Sequence, residues 1–310
     1  MTIYPLNEIL THARSHSPFY RELYAALPPG PVALEDLPVL DQTAFWDANS
    51  IGPRNRLLTA PLDDAIIFKS GGTTGSPKFS VYTREEWNTF CAAFGRGMSG
   101  SALQTGDRVA NLFYAGDLYA SFLFIHGSLE RSTSSCLNLP IAGSTAPQSI
   151  AQTVNDFQVN VLAGTPTTLL VLAEAFLEHG LQLPSVNKVI FGGESLYHDQ
   201  LARLREAFPE ISAHTIGYAS VDAGLLGYGS LDCLRDEHRV FEPETIVEIF
   251  CEQSGLPILE TGLPGRLVVT SLTRKLMPII RYPAGDRAEW IEAQGTPQRK
   301  FLLLGRSEEA

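Results

Sequence analysis

An α/β fold, with a largely parallel sheet flanked by helices and a β-rich C-terminal part, is predicted from three features of the sequence. Short β-branched and aromatic runs alternate with amphipathic patterns through the middle of the chain. Helix-start signals fall where those patterns begin. Towards the C-terminus the pattern changes to strands punctuated by Gly and Pro.

Taken in order, the N-terminal segment reads as helix and then loop, with helical stretches closed at Pro18 and at Pro28-Pro29-Gly30-Pro31. Strands are predicted over 65–69, 108–114 and 188–191. Thr83-Arg84-Glu85-Glu86 has the Thr-x-x-Glu form of a capping box, predicting a helix that runs to Phe94. Another helix is predicted from His198 to Phe208, where Leu201, Leu204 and Phe208 share a stripe. Further strands are expected over 240–250, 266–272, 278–282, 288–291 and 300–304. This divides the chain into an α/β core over 1–235 and a β-rich part over 236–304.

Composition narrows the function classes. The 310 residues are 44% hydrophobic and 18% charged, an ordinary globular balance. With 23 Lys and Arg against 34 Asp and Glu, the net charge is −11 and no basic run is present. Nucleic acid and anionic membrane surfaces, which need clustered positive charge, are therefore not expected partners. No apolar stretch is long enough to span a bilayer, and the N-terminus lacks a basic segment followed by an apolar run, so a cytoplasmic protein is expected. The four cysteines are widely spaced. Free thiols are the expectation, with a zinc set of Cys233, His238 and Cys251 the weaker alternative.

The most informative segment is Ser70-Gly71-Gly72-Thr73-Thr74-Gly75-Ser76-Pro77-Lys78, directly after a predicted strand. Its glycines let the backbone curl and turn N–H groups into a concavity; its hydroxyls add donors and Lys78 a charge. That is the equipment for cradling nucleotide phosphates. It is not a Walker A loop, because Pro77 precedes the lysine and Phe79-Ser80-Val81-Tyr82 continues as a strand. Gly95-Arg96-Gly97-Met98-Ser99-Gly100 matches a dinucleotide fingerprint in letters only. It follows a helix rather than a strand, and a glycine turn at the helix end explains it better. Tyr218 offers an aromatic face suited to a purine. Asp222 and Asp286 are hard oxygen donors suited to Mg²⁺ or sugar hydroxyls.

The loop Ser70–Lys78 resembles the signature of the acyl-adenylate-forming superfamily, [ST]-[SG]-G-[ST]-T-G-x-P-K. Phe191-Gly192-Gly193-Glu194, Tyr218-Ala219-Ser220-Val221-Asp222, Arg281-Tyr282-Pro283-Ala284-Gly285-Asp286 and Gly305-Arg306-Ser307-Glu308 resemble its further motifs, in the same order. Ser17-Pro18-Phe19-Tyr20-Arg21, Leu37-Pro38-Val39-Leu40 and Pro278-Ile279-Ile280-Arg281-Tyr282 are similar to the phenylacetate–CoA ligase branch. A narrower likeness is to the adenylating proteins that mature phenazine antibiotics. The resemblance implies the large N-terminal domain of an adenylate-forming enzyme, its β-rich part a distorted barrel. The implied activity is ATP- and Mg²⁺-dependent conversion of an aryl or arylacetic acid to its acyl-adenylate, with transfer to CoA or another acceptor.

By the same resemblance Lys78 and Asp222 are catalytic, Asp222 also binding the metal. Ser70, Gly71, Gly72, Thr73, Thr74 and Gly75 hold phosphate. Gly193, Glu194, Tyr218, Ala219 and Ser220 lie along the adenine, and Asp286 and Arg306 reach the ribose. Tyr114, Tyr119, His126 and Gly193 line an acyl pocket between 112–127 and 193–227. Residues 305–310 correspond to the start of a hinge, beyond which the superfamily carries a mobile lid domain with an adenylation lysine. The sequence stops at Ala310, so that lid is expected to be absent and adenylation handicapped. Val221 stands where the superfamily has Ser or Thr, and Asp222 is shorter than the usual Glu. Val221 and the missing lid favour the alternative, a non-catalytic protein that binds the nucleotide or acyl-adenylate; the intact Ser70–Lys78 loop and Asp286 oppose it. The oligomeric state is left open, a homodimer included.

Overall fold

The computed structural model describes residues 2–50, 54–70, 78–234 and 236–307. Two compact units are formed. One comprises Met1–Phe90, Ala219–Gly227 and Cys233–Ala310, the other Cys91–Tyr218 and Tyr228–Asp232.

The first unit begins with helices α1 (Leu6–His16), α2 (Pro18–Leu23) and α3 (Gln42–Ala48). Pro18 sits at the first turn of α2, where its missing N–H costs nothing, and the Asp41 side chain accepts from Ala44 N to start α3. Backbone bonds from Tyr4 N to Leu272 O, Thr59 N to Leu276 O and Leu40 N to Arg281 O stitch these residues to the C-terminal part of the chain. The buried Tyr20 hydroxyl donates to Pro278 O at 2.7 Å. An antiparallel hairpin follows, β1 (Ala65–Lys69) against β2 (Phe79–Thr83), running in register from Ala65↔Thr83 to Lys69↔Phe79.

Helix α4 (Arg84–Ser99) opens on the expected capping box: Glu86 N donates to Thr83 Oγ1 at 3.1 Å and Thr83 N to Glu86 Oε2 at 2.8 Å. It runs past Phe94, so the glycines read as an end-of-helix turn lie mostly inside it. Gly95 is there for close approach: a Cβ would sit 2.5 Å from Ser128 O.

The second unit contains an all-parallel sheet of β3 (Arg108–Asn111), β4 (Leu137–Pro140), β5 (Val161–Gly164), β6 (Lys188–Phe191) and β7 (Ser212–Thr215), ordered β4-β3-β5-β6-β7. Its crossovers carry α5 (Ser121–Glu130), α6 (Pro147–Asp156), α7 (Pro166–Glu178) and α8 (His198–Ala207). Leu162 and Val189 of the strands pack with Ile150 and Val154 of α6, Leu172 and Phe176 of α7 and Leu204 of α8. Strands buried on both faces read as the continuous apolar runs Val161–Gly164 and 189–191. β3 ends at Asn111 rather than at 114, because the Asn111 side chain accepts from Phe113 N and donates to Phe122 O, replacing the ladder with a local turn.

A seven-stranded sheet uses β8 (Tyr218–Ser220), β9 (Gly224–Tyr228), β10 (Glu237–Val240), β11 (Thr245–Phe250), β12 (Gly265–Ser271), β13 (Tyr282–Trp290) and β14 (Lys300–Arg306) in the order β11-β12-β13-β14-β10-β9-β8. The pairings β11–β12, β12–β13, β13–β14 and β10–β14 are antiparallel. The strand expected over 240–250 is two strands, parted at 241–244, where Pro243 has no N–H to give a ladder. The strand expected over 278–282 does not form before Tyr282. Arg281 is left-handed (φ 48°), and its guanidinium is taken by both carboxylate oxygens of Glu248, at 3.0 and 2.7 Å.

Two buried polar features generate measurable expectations. At the amino ends of the parallel strands, Lys188 Nζ donates to Asp107 Oδ2 at 2.8 Å, Asn160 Nδ2 donates to Asp107 Oδ1 at 2.8 Å, and both charged residues are buried. These bonds hold the Asp107 carboxyl below its ordinary range despite burial. Lys188→Met leaves that carboxylate uncompensated and should cost about 3–5 kcal/mol in urea denaturation.

The second feature is His238, 4% exposed, with Nδ1 3.1 Å from Asp236 O and its ring stacked on Phe301. Burial lowers its pKa from 6.5 to about 4. The unfolded chain therefore takes up the proton first. Stability should fall as pH drops below 6.5, by about 3 kcal/mol once pH is below 4, and His238→Leu should remove that part of the acid dependence.

Candidate functional site

In the first unit the hairpin β1–β2 presents its open end to the phosphate-type loop. Gly71, Gly72, Thr73, Thr74 and Gly75 lie outside the described residues. The flanking positions do not: Ser70 N donates to Lys78 O at 2.9 Å, extending the ladder one step past Lys69↔Phe79. A loop closing an antiparallel hairpin is the strand–loop–strand arrangement expected of Phe79-Ser80-Val81-Tyr82, not a strand-to-helix phosphate loop. Lys78 Nζ stands 5.5 Å from the centroid of the Trp46 ring.

Asp222 lies in the turn between β8 and β9, and that turn is pinned on every side. The Ser220 hydroxyl accepts from Ala223 N at 2.8 Å, Tyr82 Oη donates to Val221 O at 2.9 Å, and Arg274 donates to Asp222 O at 2.7 Å. Oδ1 of Asp222, Oγ of Ser70 and Oγ of Ser80 are buried and have no hydrogen-bond partner among the described residues. Burial pushes the Asp222 carboxyl above its usual range, while the charges of Lys78, Arg274 and Arg306 and the nearby Ser80 hydroxyl, which is too poorly aligned to count as a full hydrogen bond, pull it back. A buried carboxylate oxygen near the cations Lys78, Arg274 and Arg306, with the Ser80 hydroxyl beside it, is a donor set short of a ligand. One protein carboxylate is also what Mg²⁺ takes when phosphate oxygens and water complete its shell, so the residues fit that ion and a polyphosphate together.

Asp286 and Arg306 are opposite one another on β13 and β14, with Arg306 Nε 3.5 Å from Asp286 Oδ1. The first unit thus brings together Lys78, Asp222, Asp286 and Arg306. Trp46, Tyr82, Arg274 and Tyr282 surround them without having been singled out in the sequence. Trp46 Nε1 donates to Tyr282 Oη at 3.0 Å, and the Tyr282 phenol is pushed well above its usual range, by burial first and the Asp222 charge second. A buried arginine or tyrosine carries no local signature; only the fold shows what it faces. A cavity of about 240 Å³ elsewhere in this unit, bounded by Tyr4, His12, Glu86 and Lys275 among others, contains none of the predicted residues.

In the second unit the predicted residues lie mostly in loops at the carboxyl ends of the parallel strands, where α/β sheets bind ligands. Tyr114 and Tyr119 follow β3; both are exposed and meet edge to face at 5.3 Å. Gly193 and Glu194 follow β6, and Tyr218 comes shortly after β7, with Ala219 and Ser220 completing β8. Gly193 is left-handed (φ 80°), and a Cβ on Gly192 would meet Ile216 at 2.3 Å, so glycine is required at both positions. The Glu194 carboxylate accepts from Thr167 N and Thr167 Oγ1 at the start of α7. His126 sits on α5 with Nδ1 2.9 Å from Asn138 Nδ2 and Nε2 3.6 Å from Glu130 Oε1. All four cysteines are free, and no group of three His, Cys, Asp or Glu side chains among the described residues is arranged to hold a metal ion. Cys233, His238 and Cys251 do not make the zinc set. No helix among the described residues is long and apolar enough to cross a membrane.

A seven-stranded sheet, a parallel five-stranded sheet and a buried carboxylate near Lys78 make up an α/β enzyme architecture. The chain belongs to the AMP-binding enzyme family, whose family model matches residues 24–253. It is 29% identical over 311 residues to phenylacetate-coenzyme A ligase of Pseudomonas putida, covering 97% of this chain and 68% of that protein. It is 26% identical over 316 residues to the ligase of the same name from Thermus thermophilus, covering 98% and 69%. Among solved structures, an open conformation of 2-hydroxyisobutyryl-CoA ligase in complex with 2-HIB-AMP and CoA superposes with TM-score 0.80 at 21% identity, over 97% of this chain and 73% of that one.

The raised pKa of Asp222 means that its charge costs stability at neutral pH, since the unfolded carboxyl gives up its proton more readily. Asp222→Asn should therefore raise the melting temperature of the ligand-free chain.

Proposed function

We propose that this chain activates an aryl or arylacetic carboxylic acid as its acyl-adenylate, consuming ATP, releasing pyrophosphate and handing the acyl group to CoA or another acceptor. The observation that carries the reading is the buried Asp222 carboxylate, one oxygen without a full hydrogen bond among the described residues, in the field of Lys78, Arg274 and Arg306 and beside the Ser80 hydroxyl. Bound Mg²⁺ supplies charge neutralisation and orients the phosphates for in-line attack by the acid. Asp222 holds that ion. Lys78 and the Ser70 hydroxyl meet the phosphate oxygens where charge grows as pyrophosphate departs. Asp286 takes the ribose hydroxyls in exchange for Arg306, Tyr218 stacks on the base, and Gly193 gives the substrate close access to backbone.

The acid is read as aromatic because two phenylacetate-coenzyme A ligases are relatives and because Tyr114 and Tyr119 expose rings beside the His126 helix. The reaction is placed in the cytoplasm. The strand-rich stretch 236–304 is read as a subdomain following the 1–235 core, and 305–310 as the start of a hinge.

The test is ATP–pyrophosphate exchange with a panel of aromatic acids, alongside equilibrium ATP binding. Acid-dependent exchange is expected, with Lys78→Ala and Asp286→Ala each weakening ATP binding by about tenfold at unchanged stability. ATP binding without exchange for any acid would leave the non-catalytic reading, which the loss of a hydroxyl at Val221 favours. Unaltered affinity in both variants would remove the site assignment.

A further inference from the structure

Arg274 is the largest of the fully buried side chains, 1% exposed, in the segment between β12 and β13. Removing a guanidinium from water is costly unless its donors are used, and apolar residues fill a core without that cost. Its terminal nitrogens go to backbone, one to Asp222 O at 2.7 Å and the other to Val81 O at 3.0 Å, with the guanidinium 4.0 Å from the Tyr82 ring centroid, while Nε has no partner among the described residues. The Tyr82 hydroxyl in turn takes the neighbouring Val221 carbonyl. Two consecutive carbonyls, one belonging to the residue with the unpartnered carboxylate, are thus held by a stacked pair of buried side chains. The same guanidinium ties that turn to β2, the strand leaving Lys78. Arg274 is itself fixed from behind, since Lys275 N and Leu276 N both donate to Glu86 Oε1, at 2.6 and 2.9 Å.

We propose that Arg274 is a positioning residue that, stacked on Tyr82, sets the backbone at Val221 and Asp222 and so aims the Asp222 carboxylate at a divalent cation. This rests on the reading of Asp222 as the magnesium ligand. Lysine keeps the charge but cannot fork to two carbonyls, so Arg274→Lys separates geometry from charge. Tyr82→Phe keeps the stacked ring and removes only the bond to Val221.

Wild type, Arg274→Lys, Tyr82→Phe and Asp222→Asn are compared by urea denaturation without ligand and by ATP binding in EDTA and in saturating Mg²⁺. The ratio of the two dissociation constants is the magnesium enhancement. Arg274→Lys and Tyr82→Phe should bind ATP in EDTA as wild type does. Asp222→Asn should lose the enhancement, Arg274→Lys should reduce it about tenfold and Tyr82→Phe a few-fold, without following the order of stabilities. Wild-type enhancement in Arg274→Lys, with enhancement lost in Asp222→Asn, would make Arg274 a packing residue and overturn the proposal. Retained enhancement in Asp222→Asn would overturn the metal-ligand reading and the proposal with it. Should Arg274→Lys not fold, an unchanged ratio in Tyr82→Phe would overturn the proposal by itself.

Discussion

Arg274 is out of water, and a charge so placed must find dipoles to replace the solvent it has lost. It finds them in the carbonyls of Val81 and Asp222 and in the face of Tyr82. β2 leads directly out of the loop that ends at Lys78, and the turn at 220–223 carries Asp222, so one guanidinium fixes the relation between a cation and a carboxylate far apart in sequence. Asp222 is left with a buried oxygen that nothing in the described chain satisfies. Such an arrangement is unfavourable for an empty protein and favourable for one that meets a cation and a polyanion together.

What could be read in the sequence was local. The Thr83–Glu86 cap, the short strand at 188–191 and the hairpin flanking Ser70 and Lys78 each declare themselves within a few residues, and each stands in the structure as read. What could not be read was set by partners distant in the chain. β3 stops early because Asn111 bonds to Phe113 and Phe122, and β13 begins late because Arg281 is held by Glu248. Trp46, Tyr82 and Arg274 gave no signal, since an isolated aromatic or arginine is ordinary until its neighbours are known. The motif residues Asp222, Asp286 and Arg306 became legible only through their order along the chain.

The parallel sheet divides its two ends between different tasks. At the amino ends of the strands, Asp107, Lys188 and Asn160 form a closed polar cluster with its partners satisfied. Near the carboxyl ends the loops carry exposed tyrosines at 114 and 119 and the left-handed Gly193, and loops positioned by a rigid scaffold are where binding residues concentrate.

Glu86 links this economy to a helix terminus. Its carboxylate closes the start of α4 and also receives the two amides that follow Arg274. A single side chain therefore serves as a shared bolt between a cap and the segment on which the buried guanidinium is mounted. Glutamine there preserves the shape but cannot accept all three amides with a full negative charge, and aspartate falls short by a methylene. The side-chain length permitted at position 86 is thus dictated by a segment nearly two hundred residues further along the chain, and neutral drift at that helix end is closed off by the architecture rather than by the helix.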